Sequence, residues 1–109
     1  MIRIRVEGSP DKIEGFIVWG HARYARRGND IVCAGVSAVA TTALIGLIAR
    51  IPGNIRYRIL SQGLIYCRLK GELSASDALV AQIILDTMVL GLLAMKENYK
   101  KYIDFAYRG

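Results

Sequence analysis

The sequence predicts an α+β fold, a two-layer ββαββα(β) sandwich in which two long helices pack on one face of a small, mostly antiparallel sheet. Two observations lead to this prediction. Apolar and charged residues alternate in several short segments, and two longer apolar runs have helical length. Because 109 residues are enough for one core, we expect a single domain that spans residues 1–109.

Five segments have the pattern of a strand. The clearest is residues 2–7, where isoleucine and valine alternate with arginine and glutamate. A second strand at about residues 13–20 is apolar on both sides, which is typical of a covered strand. Residues 55–59 and 65–69 predict two further strands joined by a turn, and residues 102–107 predict a short final edge strand.

Two helices interrupt these strands. Asp30 is a good N-cap for the first helix, over about residues 31–50. Ser74 or Ser76 opens the second helix, which reaches about Lys100. The second helix has a wide apolar stripe that includes Leu79, Ile83, Leu90 and Leu93.

Charge and apolar content both predict partners. The hydrophobic fraction of 53% is high for a small domain, so we expect a homodimer that buries the excess. The net charge of +6 favours an anionic partner, with RNA as the first candidate. If the apolar residues of the strands face the helices, the other face carries Arg3, Arg5, Arg56, Arg58, Arg68 and Lys70. That face is either an ordinary solvated surface or a weak RNA contact, and the sequence leaves both interpretations open.

One apolar run has nearly the length of a membrane span. Residues 31–49 carry no charge, but they are rich in small residues and have arginines on both sides. We interpret this run as a helix buried against a sheet and a second subunit, and we expect no membrane partner. The strand pattern at the start and the presence of only two cysteines favour a cytoplasmic protein with reduced thiols.

The two cysteines differ in their predicted surroundings. Cys67 is in phase with the apolar residues of its strand and is expected to pack in the core. Cys33 is the third residue of the first helix, where unpaired N–H groups lower the pKa of a thiol and favour the thiolate. His21 follows a strand and can meet Cys33 across the loop as its base, and the backbone N–H groups of Cys33 and Ala34 are candidate oxyanion donors.

The residues alone also allow simpler interpretations. His21 has the place of an ordinary loop residue, and Cys33 that of a packing residue in a helix of small side chains. Asp30 either caps the helix or orients the imidazole, and Ser37, one turn after Cys33, is near enough to hydrogen-bond close to the thiol. The histidine and the two cysteines lack the close-pair spacing of a structural zinc site, so we expect no metal and no cofactor.

Two motifs at this point resemble a known family. Gly20-His21-Ala22, followed by the stretch GNDIVCAGVS over residues 28–37, is similar to the signature of the ribosomal-processing cysteine protease family (Prp). The resemblance extends over essentially the whole chain in the order and length of the elements. It implies a small cytoplasmic, homodimeric cysteine endopeptidase that removes a short N-terminal extension from a protein of the large ribosomal subunit.

The resemblance also implies residue roles. Cys33 is the nucleophile and His21 the base, while Asp30, Ser37 and Gly20 match supporting positions. The loop over residues 22–29 matches a mobile lid that closes on substrate. The lid residues are Arg23, Tyr24, Arg26, Arg27 and Gly28. The arginines are specific to this sequence, and they either steer an acidic or RNA-bound substrate or simply face solvent.

A function without catalysis remains as the alternative. In that case the chain is a ribosome-binding or RNA-binding module that acts through the basic sheet face, and Cys33 is inert.

Overall fold

The alternation along the strands determines which side of the sheet is covered. A computed structural model of the chain describes residues 1–26, 30–60 and 63–109. The observed order ββαββαβ confirms the predicted α+β sandwich. The elements are β1 (Ile2–Ser9), β2 (Lys12–Gly20), α1 (Ile31–Arg50), β3 (Ile55–Ile59), β4 (Ile65–Leu69), α2 (Ala75–Asn98) and β5 (Ile103–Arg108), with one 3-10 turn (Pro52–Asn54) after α1.

The five strands form one sheet in the order β3-β4-β2-β1-β5. All neighbours are antiparallel except β1 and β5, which are parallel. The parallel pair follows from α2, because a helix that crosses over the sheet returns the chain in the same direction. The last strand is therefore an edge strand, as predicted, and it joins the end of the chain to its beginning.

Directly opposed residues in the strand ladders show how the sheet is sided. Val6 faces Phe16, which faces Cys67, and all three are buried beneath the helices. Their neighbours in sequence point to the other side. The arginines at positions 3, 5, 56, 58 and 68 share that other side, as the sequence predicts.

The helices contribute less of their apolar surface to the core than the sequence suggests. The stripe named for α2 points away from the sheet: Leu79, Ile83, Leu90 and Leu93 are all exposed. The buried residues of α2 are instead Ala81, Leu85, Met88, Val89 and Leu92. Because α2 is apolar on nearly every side, its periodicity cannot identify which side meets the sheet.

Strand β3 also differs from its pattern. Only Ile55 is buried, whereas Tyr57 and Ile59 are exposed. The cause is position, because β3 is the edge strand farthest from β1 and the two helices do not extend over its far end.

Both helices are long and apolar enough to cross a membrane, judged by length and composition alone. In this structure each helix packs one side on the sheet, and the two helices also contact each other. Their outward sides remain exposed.

The side chain of Gln82 joins α2 to the sheet through two hydrogen bonds. Gln82 accepts a hydrogen bond from the Ile13 N–H at 2.9 Å and donates one to the Ile13 carbonyl at 2.7 Å. Ile13 lies beside the irregularity between Glu7 and Gly8 in the β1–β2 ladder. The amide of Gln82 therefore takes the place of a strand partner at this point.

We expect Gln82→Ala to lower the free energy of unfolding by about 1–3 kcal/mol, because it leaves both backbone groups of Ile13 without their partner. Urea denaturation checks this. The control is Asn98→Ala, because within the described chain the Asn98 side chain bonds to Ala94 of its own helix alone, at 3.3 Å, and its loss should cost much less. An equal loss of unfolding free energy in both variants would contradict the proposed role of the Gln82 hydrogen bonds.

Candidate active site

His21 is positioned by the end of β2. Gly20, the last residue of that strand, has φ of +92°, in the region that side chains rarely adopt. A Cβ at position 20 would meet the carbonyl oxygen of Met1 at 2.7 Å. Only glycine fits this turn without strain, so Gly20 fixes the direction in which the chain leaves the sheet and presents His21.

The two carboxylate oxygens of Asp30 have different contacts. Oδ1 accepts from the N–H groups of Val32 and Cys33, both at 3.0 Å, which is the predicted N-cap. Oδ2 accepts from the loop, from the N–H of Tyr24 at 3.0 Å and that of Ala25 at 3.4 Å. Burial favours the neutral acid, but these four N–H groups outweigh it, and the pKa of Asp30 lies below its usual value.

The same Oδ2 lies 3.5 Å from Nε2 of His21. This nitrogen is buried and has no hydrogen-bond partner in the described part of the chain. The other ring nitrogen, Nδ1, accepts the N–H of Arg23 at 3.2 Å. A nitrogen that accepts an N–H carries no proton, so the neutral ring has its proton on Nε2, toward the carboxylate.

The thiol of Cys33 lies at the start of α1 and is half-buried. Its Sγ accepts the backbone N–H of Ala22 at 3.1 Å, a short distance for a bond to sulfur. Sequence reasoning missed this donor because backbone geometry at a strand end leaves no signal in residue types. A donor pointed at Sγ stabilises negative charge on it.

These groups form one cluster. A ring nitrogen of His21, an oxygen of Asp30 and Sγ of Cys33 all lie within 4.8 Å of one another. A nucleophile, a base and a carboxylate in this arrangement fit covalent catalysis. The same spacing would suit a metal ion, which the sequence did not predict, but both oxygens of Asp30 already accept N–H groups, and a metal would have to compete with them.

The two predicted oxyanion donors are occupied in this structure. The N–H of Cys33 bonds to Oδ1 of Asp30, and the N–H of Ala34 bonds to the Asp30 carbonyl at 3.0 Å. Hydrogen bonds to Asp30 at the helix start thus occupy the two N–H groups that the sequence predicted as oxyanion donors.

The remaining predicted site residues lie around the cluster. Ser37 is half-buried on α1, one turn after Cys33. Of the predicted lid residues, Arg27 and Gly28 lie outside the described residues. Arg23 and Arg26 are exposed, and Arg23 has φ of +61°, unusual for a residue with a side chain.

Tyr24 ties the loop to the far end of the chain. Its ring meets the rings of Tyr99 and Tyr102 edge-on, with centroids 5.6 and 5.2 Å apart. This cluster could not be predicted from residue patterns, because it joins residues that are more than seventy positions apart. Cys67, in contrast, lies in the core as predicted, and burial raises its pKa to about 12, so it is neutral near pH 7.

We expect Asp30→Asn to reduce stability by about 1–3 kcal/mol at neutral pH, because an amide nitrogen cannot accept the N–H groups that one oxygen now holds. The folded-state pKa of Asp30 is depressed, so its contribution is complete above the unfolded-state value and is lost as the pH falls through the folded-state value. The difference from the unmodified protein should therefore shrink below about pH 4. Urea titrations at several pH values measure it, with the exposed turn residue Asp11→Asn as the control. A difference that does not change with pH would contradict this account.

Comparison with known proteins identifies the family. The family described as cysteine protease Prp matches residues 1–104. The chain is 34% identical over 100 residues to the ribosomal processing cysteine protease Prp of Staphylococcus aureus, which covers 89% of each protein. It is 31% identical over 102 residues to the protein of the same name from Bacillus subtilis, which covers 92% of this chain and 91% of that one. The crystal structure of the S. aureus protease with a covalently linked product peptide matches with a TM-score of 0.84 at 28% identity, over 99% of this chain and 100% of that one. The chain therefore belongs to the Prp family of cysteine proteases.

Proposed function

We propose that this protease removes a short N-terminal extension from a protein of the large ribosomal subunit, with Cys33 as the nucleophile and His21 as the base. The observation that carries the proposal is the cluster of imidazole, carboxylate and thiol within 4.8 Å at the junction of β2 and α1. The names of the relatives, which are ribosomal processing proteases, support the substrate class. The covalently linked product peptide of the S. aureus protein supports a covalent mechanism.

The chemistry follows from the two ring nitrogens. Asp30 lies beside the protonated Nε2, so Nδ1 is the basic nitrogen of His21. For Nδ1 to receive the proton of the Cys33 thiol, the Arg23 N–H has to leave it. The imidazolium that results has a positive ring beside the ionised Asp30, which stabilises it.

The thiolate then attacks the carbonyl carbon of the scissile bond and forms a C–S bond, and the carbonyl oxygen takes the negative charge. The Ala22 N–H donates to the reacting sulfur, and we assign it to this oxygen once the sulfur has formed the C–S bond. The N–H groups of Cys33 and Ala34 would assist only after release from Asp30. His21 protonates the leaving amine as the C–N bond breaks, and then takes a proton from the water that hydrolyses the thioester.

The non-enzymatic alternative is less well supported. An inert Cys33 does not explain why a buried carboxylate, an imidazole and a backbone N–H converge on it. The family assignment also favours a protease over a binding module. We also propose a cytoplasmic location, because a ribosomal-protein substrate would be met where ribosomes are made.

We expect the protein to shorten a large-subunit ribosomal protein that carries its N-terminal extension, as measured by intact mass. Cys33→Ala should abolish cleavage, and His21→Ala should slow it by about 10²–10⁴-fold, the usual contribution of a general base. Cys67→Ala, the matched cysteine control, should keep the catalytic rate. Equal cleavage by the Cys33→Ala variant would overturn the proposal.

We also propose that two copies associate through the outward sides of α1 and α2. A cavity of about 460 Å³ opens between the helices and is lined by small and apolar residues that include Gly46 and Thr87. Ile45 on α1 and Ile83 on α2 are 61% and 57% exposed, and Leu79 and Leu90 are exposed as well. A surface with several exposed apolar side chains is typical of an interface. The resemblance to a homodimeric family and the absence of charge from residues 31–49 favour a second copy as the occupant.

We expect the protein to elute as a dimer of its 12.0 kDa chain, and Ile83→Asp to convert it to a monomer, because the substitution places a charge in the apolar contact. Size-exclusion chromatography with light scattering measures the mass. Ile59→Asp is the matched control, since Ile59 is 55% exposed but lies on the edge strand β3. A monomeric unmodified protein, or a dimer that survives Ile83→Asp, would rule out this interface.

A further inference from the structure

We propose that the β3–β4 half of the uncovered sheet face binds the phosphate backbone of RNA. This basic half is defined by Arg56, Arg58, Arg68 and Lys70, all of which are exposed. The inference extends the proposed function, because a protease that acts on a ribosomal protein meets RNA, but its test does not require protease activity.

The two halves of the same sheet face differ in whether their cations form ion pairs. At the β1–β5 end every arginine on the strands has an acid: Arg3 and Arg5 bond to Asp104 at 3.0 and 2.9 Å, and Arg108 bonds to Glu7 at 2.7 Å. The hydrogen bond from Arg5, with help from Arg3, holds the pKa of Asp104 below its usual value. In this half of the face, neighbouring acids therefore neutralise the arginines.

The described residues show no such pairing in the basic half. Within the described chain no carboxylate forms an ion pair with any of its four cations. The undescribed residues contain no acid that would change this, since they are Arg27, Gly28, Asn29, Ser61 and Gln62. Glu14 lines the same cavity as Arg68 and Lys70 but makes no ion pair with them.

The arrangement carries an energetic cost in the isolated protein. Arg56 and Arg68 are directly opposed across the β3–β4 ladder, and like charges in such a pair destabilise a sheet. A run of phosphates laid across the strands would remove this repulsion.

Two further features favour RNA over an acidic protein segment. Tyr66 is directly opposite Arg58 on this face and is half-buried, so it offers an aromatic surface beside a cation, a combination on which bases of single-stranded RNA stack. The face also lies on the side of the sheet opposite α1 and its Cys33, so bound RNA would not cover the thiol.

The test compares two double variants with equal charge changes. Arg56→Gln/Arg68→Gln removes two cations from the basic half, and Lys100→Gln/Lys101→Gln removes two exposed cations from the turn before β5, at the other edge of the sheet. Each lowers the net charge by two, from +6 to +4. Binding of a fluorescent single-stranded RNA of mixed sequence is followed by anisotropy over a salt series.

We expect the arginine variant to bind more weakly and to reduce the slope of log affinity against log salt by about 1.4, or 0.7 for each lost phosphate contact. The lysine variant should keep the slope of the unmodified protein. Both should cleave a free peptide substrate at the normal rate, and the arginine variant should melt no lower than the unmodified protein because it relieves a repulsion. Equal losses in both variants, or no RNA binding at low salt, would overturn the proposal. Competition by polyglutamate as effective as by RNA would overturn it in favour of an acidic protein partner.

Discussion

The shared carboxylate of Asp30 is the interaction on which the site depends. One oxygen holds the first turn of α1 and the other holds the loop after β2, so the helix that carries the thiol and the loop that follows the histidine are joined through a single buried group. The backbone groups that converge on this group compensate for the cost of its burial. Because the cap and the site share one residue, loss of this carboxylate would weaken both the helix start and the cluster.

The remaining surfaces of the molecule differ in polarity from one side to the other. The outward sides of the helices are apolar, the far face of the sheet is charged, and the cluster lies between them at the end of β2. A second copy on the helices and an anion on the sheet would therefore occupy different sides and could be present together. The neutralised half of the sheet face, with Asp104 and Glu7, resembles the balanced surface of an ordinary small protein.

The sequence predicted the parts of the fold that local chemistry decides. The bounds of α1 follow from Asp30 at one end and the turn at Pro52 at the other, and Ser74 marks the start of α2 in the same way. Residues along β1 and β4 alternate because one side of each strand is covered.

The parts that remained hidden depend on contacts between distant segments. An apolar helix such as α2 does not reveal which side meets the sheet. The pairing of His21 and Cys33, in contrast, was predictable from two motifs. Two backbone features of the site were not predictable, because backbone groups have no residue-type signal. These are the Ala22 N–H that donates to the sulfur and the hydrogen bonds that occupy the N–H groups of Cys33 and Ala34.

The parallel pairing of β5 with β1 has a consequence for folding. β5 and the rings of Tyr99 and Tyr102, which contact Tyr24 in the loop after His21, lie more than seventy positions after the residues they pair with. One edge of the sheet and one support of the loop beside the thiol therefore depend on contacts of high sequence separation, which form slowly because a long stretch of chain must be closed first. Local opening that begins at β5 would loosen the loop beside Cys33 while the rest of the sheet stays paired.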